Sequence, residues 1–326
     1  MSKTVSLINY RREIISVEVL TNLESFKDTI DVADMLLQAK TGDVVLFDGK
    51  SFISEMIKLF TWSDCSHIGM IVHIPTDDEA LKRERLGWMH LEGVADSVRQ
   101  RAAELFLLHA TDFTELPSYF HPYESRVDGV QLTPLYAYLK AYKGTCIWRR
   151  RCTSNLSSSE EDPIAFLKKP LPNASFYPVN ATFLMADAQI KLRSGGGADR
   201  HVLNRASTCL ADRTLFSLIV AVCVAQYEIE TWRLLCVTFP RLQLKFIETY
   251  RDGDYQSFFC SDLVALVYQA LGWIKVTVAH TDSTTKAAAV PEMFAPHAFA
   301  VLTQKDQIRL FGQVILQDCI KRITFS

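Results

Sequence analysis

No segment of this chain is apolar for long enough to predict a helix that crosses a membrane. The apolar run at residues 215–225 is followed at once by Gln226, Glu228 and Glu230, whereas a membrane span needs about 20 apolar residues. We therefore predict that this run forms a buried helix, and peripheral contact with a membrane stays open. Residues 1–10 also lack a long apolar stretch, so the sequence predicts no secretory signal peptide.

The cysteines show none of the spacings that mark a metal site or a disulfide framework. The eight cysteines include no CxxC pair and no short-loop pairing pattern, which together with the missing signal peptide predicts a reducing compartment, the cytoplasm. Cys65 and His67 are separated by one residue, but no second pair of ligands stands at a zinc-like spacing. We expect no bound metal and no cofactor.

Neither basic nor acidic residues are in large excess in this chain. The chain has 35 basic and 37 acidic residues and a formal net charge of −2, so the sequence predicts no general attraction to nucleic acid. Its length of 326 residues and its 48% hydrophobic content suit one large or two modest globular domains with a real core. Composition says nothing about the oligomeric state.

The pattern of the chain predicts an N-terminal extension followed by one long domain. A helical spacing of apolar residues ends at Thr41-Gly42 and closes an extension over residues 1–40. The main domain is predicted over residues 41–326. A serine-rich, acidic stretch at 153–162 begins a helical insertion predicted at about 153–240. The remaining patterns predict strands at 43–47, 67–74, 88–94, 130–132 and 145–150, a helix capped by Ser51 and another that begins at Pro134.

Cys260 is the strongest candidate for a nucleophile. It begins a helical pattern in which Leu263, Val264 and Val267 share an apolar face. The unpaired amides and the dipole at a helix start stabilise a thiolate, which is the reactive form of the residue. A buried structural cysteine is the commonest fate of this residue type, so the assignment depends on a nearby base.

His67 is the candidate for that base. It stands at the start of a strand of β-branched and aliphatic residues, far upstream of Cys260. A lone histidine at a strand end is more often structural than catalytic. A cysteine at a helix start and a histidine within its reach are, however, the two parts that nucleophilic catalysis by a thiol requires, and we interpret the two residues as that pair.

A third polar group is needed to hold the imidazole in the correct tautomer. On the predicted strand 88–94, side-chain alternation puts His90 and Glu92 on the same face. We favour Glu92, because a carboxylate also stabilises the imidazolium that forms during catalysis. His90 is the alternative, and two solvated polar residues on an edge strand would fit the pattern equally well.

Five short motifs in this order resemble one family of enzymes. Cys260 and His67 each lie in one of them, and the others surround Asp43, Gly93 and Pro291. The set is similar to the circularly permuted NlpC-like cysteine hydrolases of papain fold, the branch that includes YiiX-like proteins and lecithin:retinol acyltransferase. The motifs are Thr41-Gly42-Asp43-Val44-Val45-Leu46-Phe47, Ser66-His67-Ile68-Gly69, Leu91-Glu92-Gly93-Val94, Phe259-Cys260-Ser261-Asp262-Leu263-Val264 and Val290-Pro291-Glu292-Met293-Phe294.

The resemblance covers roughly residues 41–150 and 250–315, and it implies both a fold and an activity. The implied fold is α+β and papain-like in a permuted order, with a small antiparallel sheet packed on the cysteine-bearing helix. The implied activity is hydrolysis or acyl transfer at an amide, ester or thioester bond through a Cys–His–Glu triad. Small molecules, acyl lipids and peptides are the implied substrates. Two alternatives are a catalytically inactive papain-fold module that binds a lipid or peptide and a scaffold for a functional insertion.

Overall fold

The structure is a computed structural model, in which the main sheet and the candidate cysteine helix are both described. Most of the predicted insertion lies outside the described part of the chain. The described residues are 2–9, 13–20, 26–61, 63–87, 89, 91, 93–114, 116–119, 127–152, 226–227, 257–271, 273–274, 278–281, 284–287, 296–300 and 303–325.

Strands and helices are interleaved along the chain. The strands are β1 (Ser2–Ile8), β2 (Ile14–Leu20), β3 (Thr29–Asp31), β4 (Val44–Gly49), β5 (His67–His73), β6 (Leu105–Thr114), β7 (Val127–Pro134), β8 (Gly144–Arg151), β9 (Gln226–Tyr227), β10 (Ser257–Phe258), β11 (Val278–Thr281), β12 (Thr284–Ala287) and β13 (Leu316–Thr324). The helices are α1 (Val32–Gln38), α2 (Phe52–Thr61), α3 (Glu79–Gly87), α4 (Asp96–Glu104), α5 (Leu135–Ala141), α6 (Cys260–Ala270) and α7 (Gln304–Phe311), with a short 3-10 helix at Pro296–Ala298.

One seven-stranded sheet organises the described part of the chain. Its strand order is β3-β13-β8-β4-β5-β6-β7, and every neighbouring pair is antiparallel except β13 with β3. Three two-stranded sheets, β1–β2, β9–β10 and β11–β12, accompany it. This mixed architecture with a mostly antiparallel sheet agrees with the predicted α+β class. The sheet is larger than the small one we predicted, because β3 and β13 join it from the two ends of the chain.

The sheet is covered on both faces, and α6 lies on one of them. Alternate residues of β5 divide between two hydrophobic clusters, since successive strand side chains point to opposite faces. Ile68 and Met70 belong to the cluster that contains Leu263 and Val267 of α6. Ile71 belongs to the other cluster, which also contains residues of α1, α4 and α5. The apolar residues 44–47 of β4 and 68–72 of β5 follow from this coverage on both sides.

Gly42 and Asp43 tie α6 to the central strands. The Tyr268 hydroxyl of α6 donates a hydrogen bond of 2.6 Å to the Gly42 carbonyl. Gly42 has a positive φ of 89°, which glycine adopts without strain. The buried Asp43 carboxylate accepts hydrogen bonds from the amides of Lys40 and Arg151 and from the Trp148 indole. The start of β4 is therefore fixed to β8 and to α6, which sets the position of Cys260 against the sheet.

The strand predicted at residues 88–94 is wrong. Met89 and Gly93 lie in turns between α3 and α4, and β6 is the strand that pairs with β5 on the side away from β4. Met89 and Leu91 are instead buried in the hydrophobic cluster that contains residues of α1, α4 and α5. Apolar and polar residues alternate here because Met89 and Leu91 of this connecting segment pack on the cluster. The described residues of the segment pair with no strand.

Candidate active site

Cys260 is the first residue of α6, as the sequence predicts. The chain reaches the helix through β10 and Phe259, whose carbonyl accepts the first helical hydrogen bond from the Leu263 amide at 3.1 Å. The Asp262 carboxylate accepts a hydrogen bond of 3.4 Å from the Phe259 amide and closes the helix start. The thiol therefore lies in the first turn, where backbone amides point outward.

The thiol is enclosed and un-ionised in this structure. Cys260 is 1% exposed. The backbone amide of Ile68 and, to a smaller extent, the amides of Ser261 and Cys260 at the helix start favour the thiolate. Burial outweighs them, because removal from water disfavours the charged form, and it raises the pKa of the Cys260 thiol to about 12.

His67 is the first residue of β5, and its ring is hydrogen-bonded to the ring of a second histidine. Its Nε2 lies 3.0 Å from Nδ1 of His109. The ring centroids of Phe47 and Tyr138 lie 5.4 and 6.3 Å from that of His67. Burial among these rings lowers the pKa of His67 to about 4. The imidazole is therefore neutral at pH 7 and able to accept a proton.

His109 connects His67 to a third strand of the sheet. It is fully buried on β6, and its Nε2 lies 3.1 Å from the Thr133 hydroxyl oxygen on β7. The Tyr138 ring packs edge-on against it, with centroids 4.5 Å apart. Burial, and secondly the adjacent His67, hold the pKa of His109 well below its usual range. Both rings of the pair are neutral at pH 7.

Cys260 and His67 lie near the same end of β5, on opposite faces of the sheet. The sulfur is bonded to the amide of Ile68, the residue after His67, and its helix packs on the face that holds the Ile68 side chain. The ladder between β5 and β6 reaches only from His73 to Met70, so Ile68 lies beyond its last pair. Within the described part of the chain, no hydrogen bond joins the Cys260 thiol to the His67 ring.

The third residues proposed from the sequence, Glu92 and its alternative His90, lie outside the described residues. The structure places His109 against His67 instead, and sequence reasoning missed it because no strand was assigned there. One signal could have found it. His109 is the first polar residue of β6 and follows the four apolar residues that begin the strand, and on a neighbouring strand such a residue can face His67.

Two other kinds of site were searched in the described ranges. These residues contain no group of three or more His, Cys, Asp or Glu side chains that could hold a metal ion. None of the helices in the same ranges is long and apolar enough to cross a membrane.

No family model matches this chain, and a search of curated proteins finds no relative. The functional argument therefore depends on the arrangement of Cys260, His67 and His109.

Proposed function

We propose that this protein is a cysteine-dependent hydrolase or acyltransferase with a permuted papain-like fold. One observation carries the proposal. A cysteine at the start of a sheet-packed helix is bonded to the backbone of β5 beside a histidine, and that histidine is bonded to a second one. In the proposal these three residues act as nucleophile, base and orienting group, the parts that thiol catalysis requires. The proposed substrates carry an amide, ester or thioester bond in a small molecule, an acyl lipid or a peptide.

The hydrogen bond between the two rings supports His67 as the proposed base. When His67 donates its Nε2–H to Nδ1 of His109, Nδ1 of His67 carries no proton and can take one from the thiol. The Cys260 sulfur then attacks the carbonyl carbon, and the leaving group departs with the proton from His67. The resulting thioester is cleaved by water or by another acceptor. The Cys260 amide at the helix start is the proposed donor to the oxyanion.

Catalysis through this pair requires the thiol and the imidazole to approach each other when substrate binds. They are not bonded in the structure, in which both are uncharged at neutral pH. Catalytic hydrogen bonds are often long or poorly aligned in the free enzyme and tighten in the complex with substrate. Cys260 adjoins Ile68, whose side chain points to the face opposite that of His67. The start of β5 would therefore have to turn the His67 ring toward the face that carries the thiol.

His109 takes the orienting role that the sequence analysis gave to Glu92. We expect His109→Gln to lower kcat/KM by about 10- to 100-fold, by analogy with the outer groups that orient metal-bound histidines. Glu92→Gln should leave kcat/KM within about threefold of the unmodified protein, well below that cost. Both variants are compared in ester hydrolysis, with thermal unfolding as the control for folding. A large loss in Glu92→Gln alone would return the role to Glu92.

The function itself is tested by trapping the covalent intermediate. We expect a p-nitrophenyl ester or an alkyl thioester to leave its acyl group on Cys260 after an acid quench, detected by mass spectrometry of the intact protein and its peptides. Cys146 is the internal control, because it is also buried and burial raises its pKa to about 12. Exposed Cys319 reports non-specific acylation. Acyl groups on Cys319 with none on Cys260 would contradict the proposal.

A second candidate is the inactive papain-fold module that binds a lipid or a peptide. It is favoured by the burial of the Cys260 thiol and by the apolar side chains that α2 presents to solvent. Phe52, Ile53 and Leu59 of this helix are 80%, 45% and 66% exposed. Binding of acyl chains or peptides without any covalent adduct on Cys260 would select this candidate over the enzyme.

A further inference from the structure

Three hydrogen-bonding side chains cross three adjacent strands on the same face of the sheet. His67 lies on β5, His109 on β6 and Thr133 on β7, and the two contacts between them measure 3.0 and 3.1 Å. His109 and Thr133 are both 0% exposed. β6 and β7 are in register here, with Leu107 paired to Thr133 and His109 paired to Gln131. The threonine hydroxyl is therefore held by the sheet itself.

A neutral imidazole carries one N–H, so this chain of groups has only two possible directions. In the first, His67 donates through Nε2 to His109, and His109 donates through its own Nε2 to Thr133. In the second, the Thr133 hydroxyl donates to His109, which donates through Nδ1 to His67. Only the first direction leaves Nδ1 of His67 without a proton, and only this form can act as a base toward Cys260.

The Thr133 oxygen supplies the acceptor that the first direction needs. Without an acceptor at this position, the Nε2–H of His109 would be buried without that partner, and such a group is costly in a protein interior. The Tyr138 ring packs against the same imidazole in an edge-to-face contact. Removal of the Thr133 oxygen should therefore shift His109 toward the tautomer that carries its proton on Nδ1.

Resting on the proposed function, we infer that Thr133 is a positioning residue that fixes the tautomer of His109 and, through it, keeps Nδ1 of His67 free to accept a proton. It touches neither substrate nor thiol and acts through two imidazoles. A hydroxyl-bearing side chain at residue 133 is then a requirement for full activity, and a methyl group of the same size is not a substitute.

The test compares Thr133→Val, which removes the hydroxyl but keeps the shape, with Thr133→Ser, which keeps the hydroxyl. We expect Thr133→Val to lower kcat/KM for a p-nitrophenyl ester by about 10- to 100-fold, again by analogy with the outer groups that orient metal-bound histidines. Thr133→Ser should restore most of that loss. Unchanged kcat/KM in a folded Thr133→Val variant would overturn the inference.

A spectroscopic readout separates positioning from simple packing. Ring ¹⁵N shifts of His67 and His109, assigned with His67→Gln and His109→Gln, should show both rings protonated on Nε2 in the unmodified protein. In Thr133→Val the Nδ1-protonated form should grow at both histidines, and in Thr133→Ser it should not. A spectrum of the unmodified protein with His67 protonated on Nδ1 overturns the inference even if Thr133→Val fails to fold. If no acyl group appears on Cys260 while the Nε2 tautomers persist, the enzyme proposal fails and the hydrogen-bond chain stands.

Discussion

Replacing Cys260 with alanine should lower kcat/KM for ester hydrolysis by about 10⁴-fold or more and abolish covalent labelling. The proposed reaction uses the sulfur twice, to attack the carbonyl carbon and to hold the acyl group. Loss of a catalytic nucleophile in a comparable triad costs about 10⁶-fold in kcat. The remaining hydrogen-bond donors and binding contacts leave only a small residual rate.

Cys146→Ala is the matched control for this change. Both cysteines are buried, and burial raises the pKa of each thiol to about 12. Cys146, however, lies in the middle of β8, whereas Cys260 begins a helix. Initial rates for the two variants, with circular dichroism to confirm folding, should differ by the full catalytic factor. Equal rates in the two variants would show that Cys260 is a structural cysteine.

The elements that carry Cys260 and His67 could be predicted because their signals are local. β5 is an uninterrupted apolar run between two histidines, and α6 has an apolar face at helical spacing with its cysteine at the start. The fold has both elements: β5 is packed on both faces, and every side chain of α6 from Cys260 to Tyr268 is buried. Asp43 was found only as part of a motif, and its hydrogen bonds to β8 could not be predicted from its neighbours.

The neighbour of His67 could not be predicted, because strand pairing is set by contacts that are distant in the sequence. The alternation around Glu92 suggested a strand next to β5, but α3, a connecting segment and α4 come between β5 and its actual neighbour β6. His109 lies in a run of apolar residues and resembles a histidine that is buried for structural reasons. Only the register of β5, β6 and β7 shows that it contacts His67 and Thr133.

The role of the N-terminal segment shows the same limit. Residues 1–40 were predicted as an extension, and they supply β3, whose residues 29–31 pair with residues 322–324 of β13. The same segment supplies the β1–β2 hairpin, whose Ser16 carbonyl accepts a hydrogen bond from Arg309 of α7. Both contacts join residues near the two ends of the described chain, and no local sequence pattern predicts either of them.

The second large effect is expected from His67→Gln, which should lower kcat/KM by about 10²- to 10⁴-fold, the range that general-base catalysis supplies. His73→Gln is the matched control, because His73 ends the same strand and its side chain points to the same face. Its Nε2 lies 2.9 Å from the Glu104 carboxylate, in a contact that is remote from Cys260 along the strand. This control should change stability slightly and leave kcat/KM nearly unaltered. Similar losses in both variants, with lower melting temperatures, would mark both histidines as structural.

The pH dependence gives an independent test of His67 as the base. A base works only when unprotonated, and burial lowers the pKa of His67 from 6.5 to about 4. Since kcat/KM reports ionisations of the free enzyme, its acid limb should fall near pH 4 rather than near 6.5, and this limb should disappear in His67→Gln. Stability depends on the same shift in the His67 pKa. Below pH 6.5 the unfolded chain binds a proton that the folded His67 ring does not bind. The free energy of unfolding should therefore decrease as the pH falls from about 6.5 to about 4. His67→Gln should remove that part of the decrease. An acid limb at pH 6.5, unchanged in His67→Gln, would assign the titrating group elsewhere.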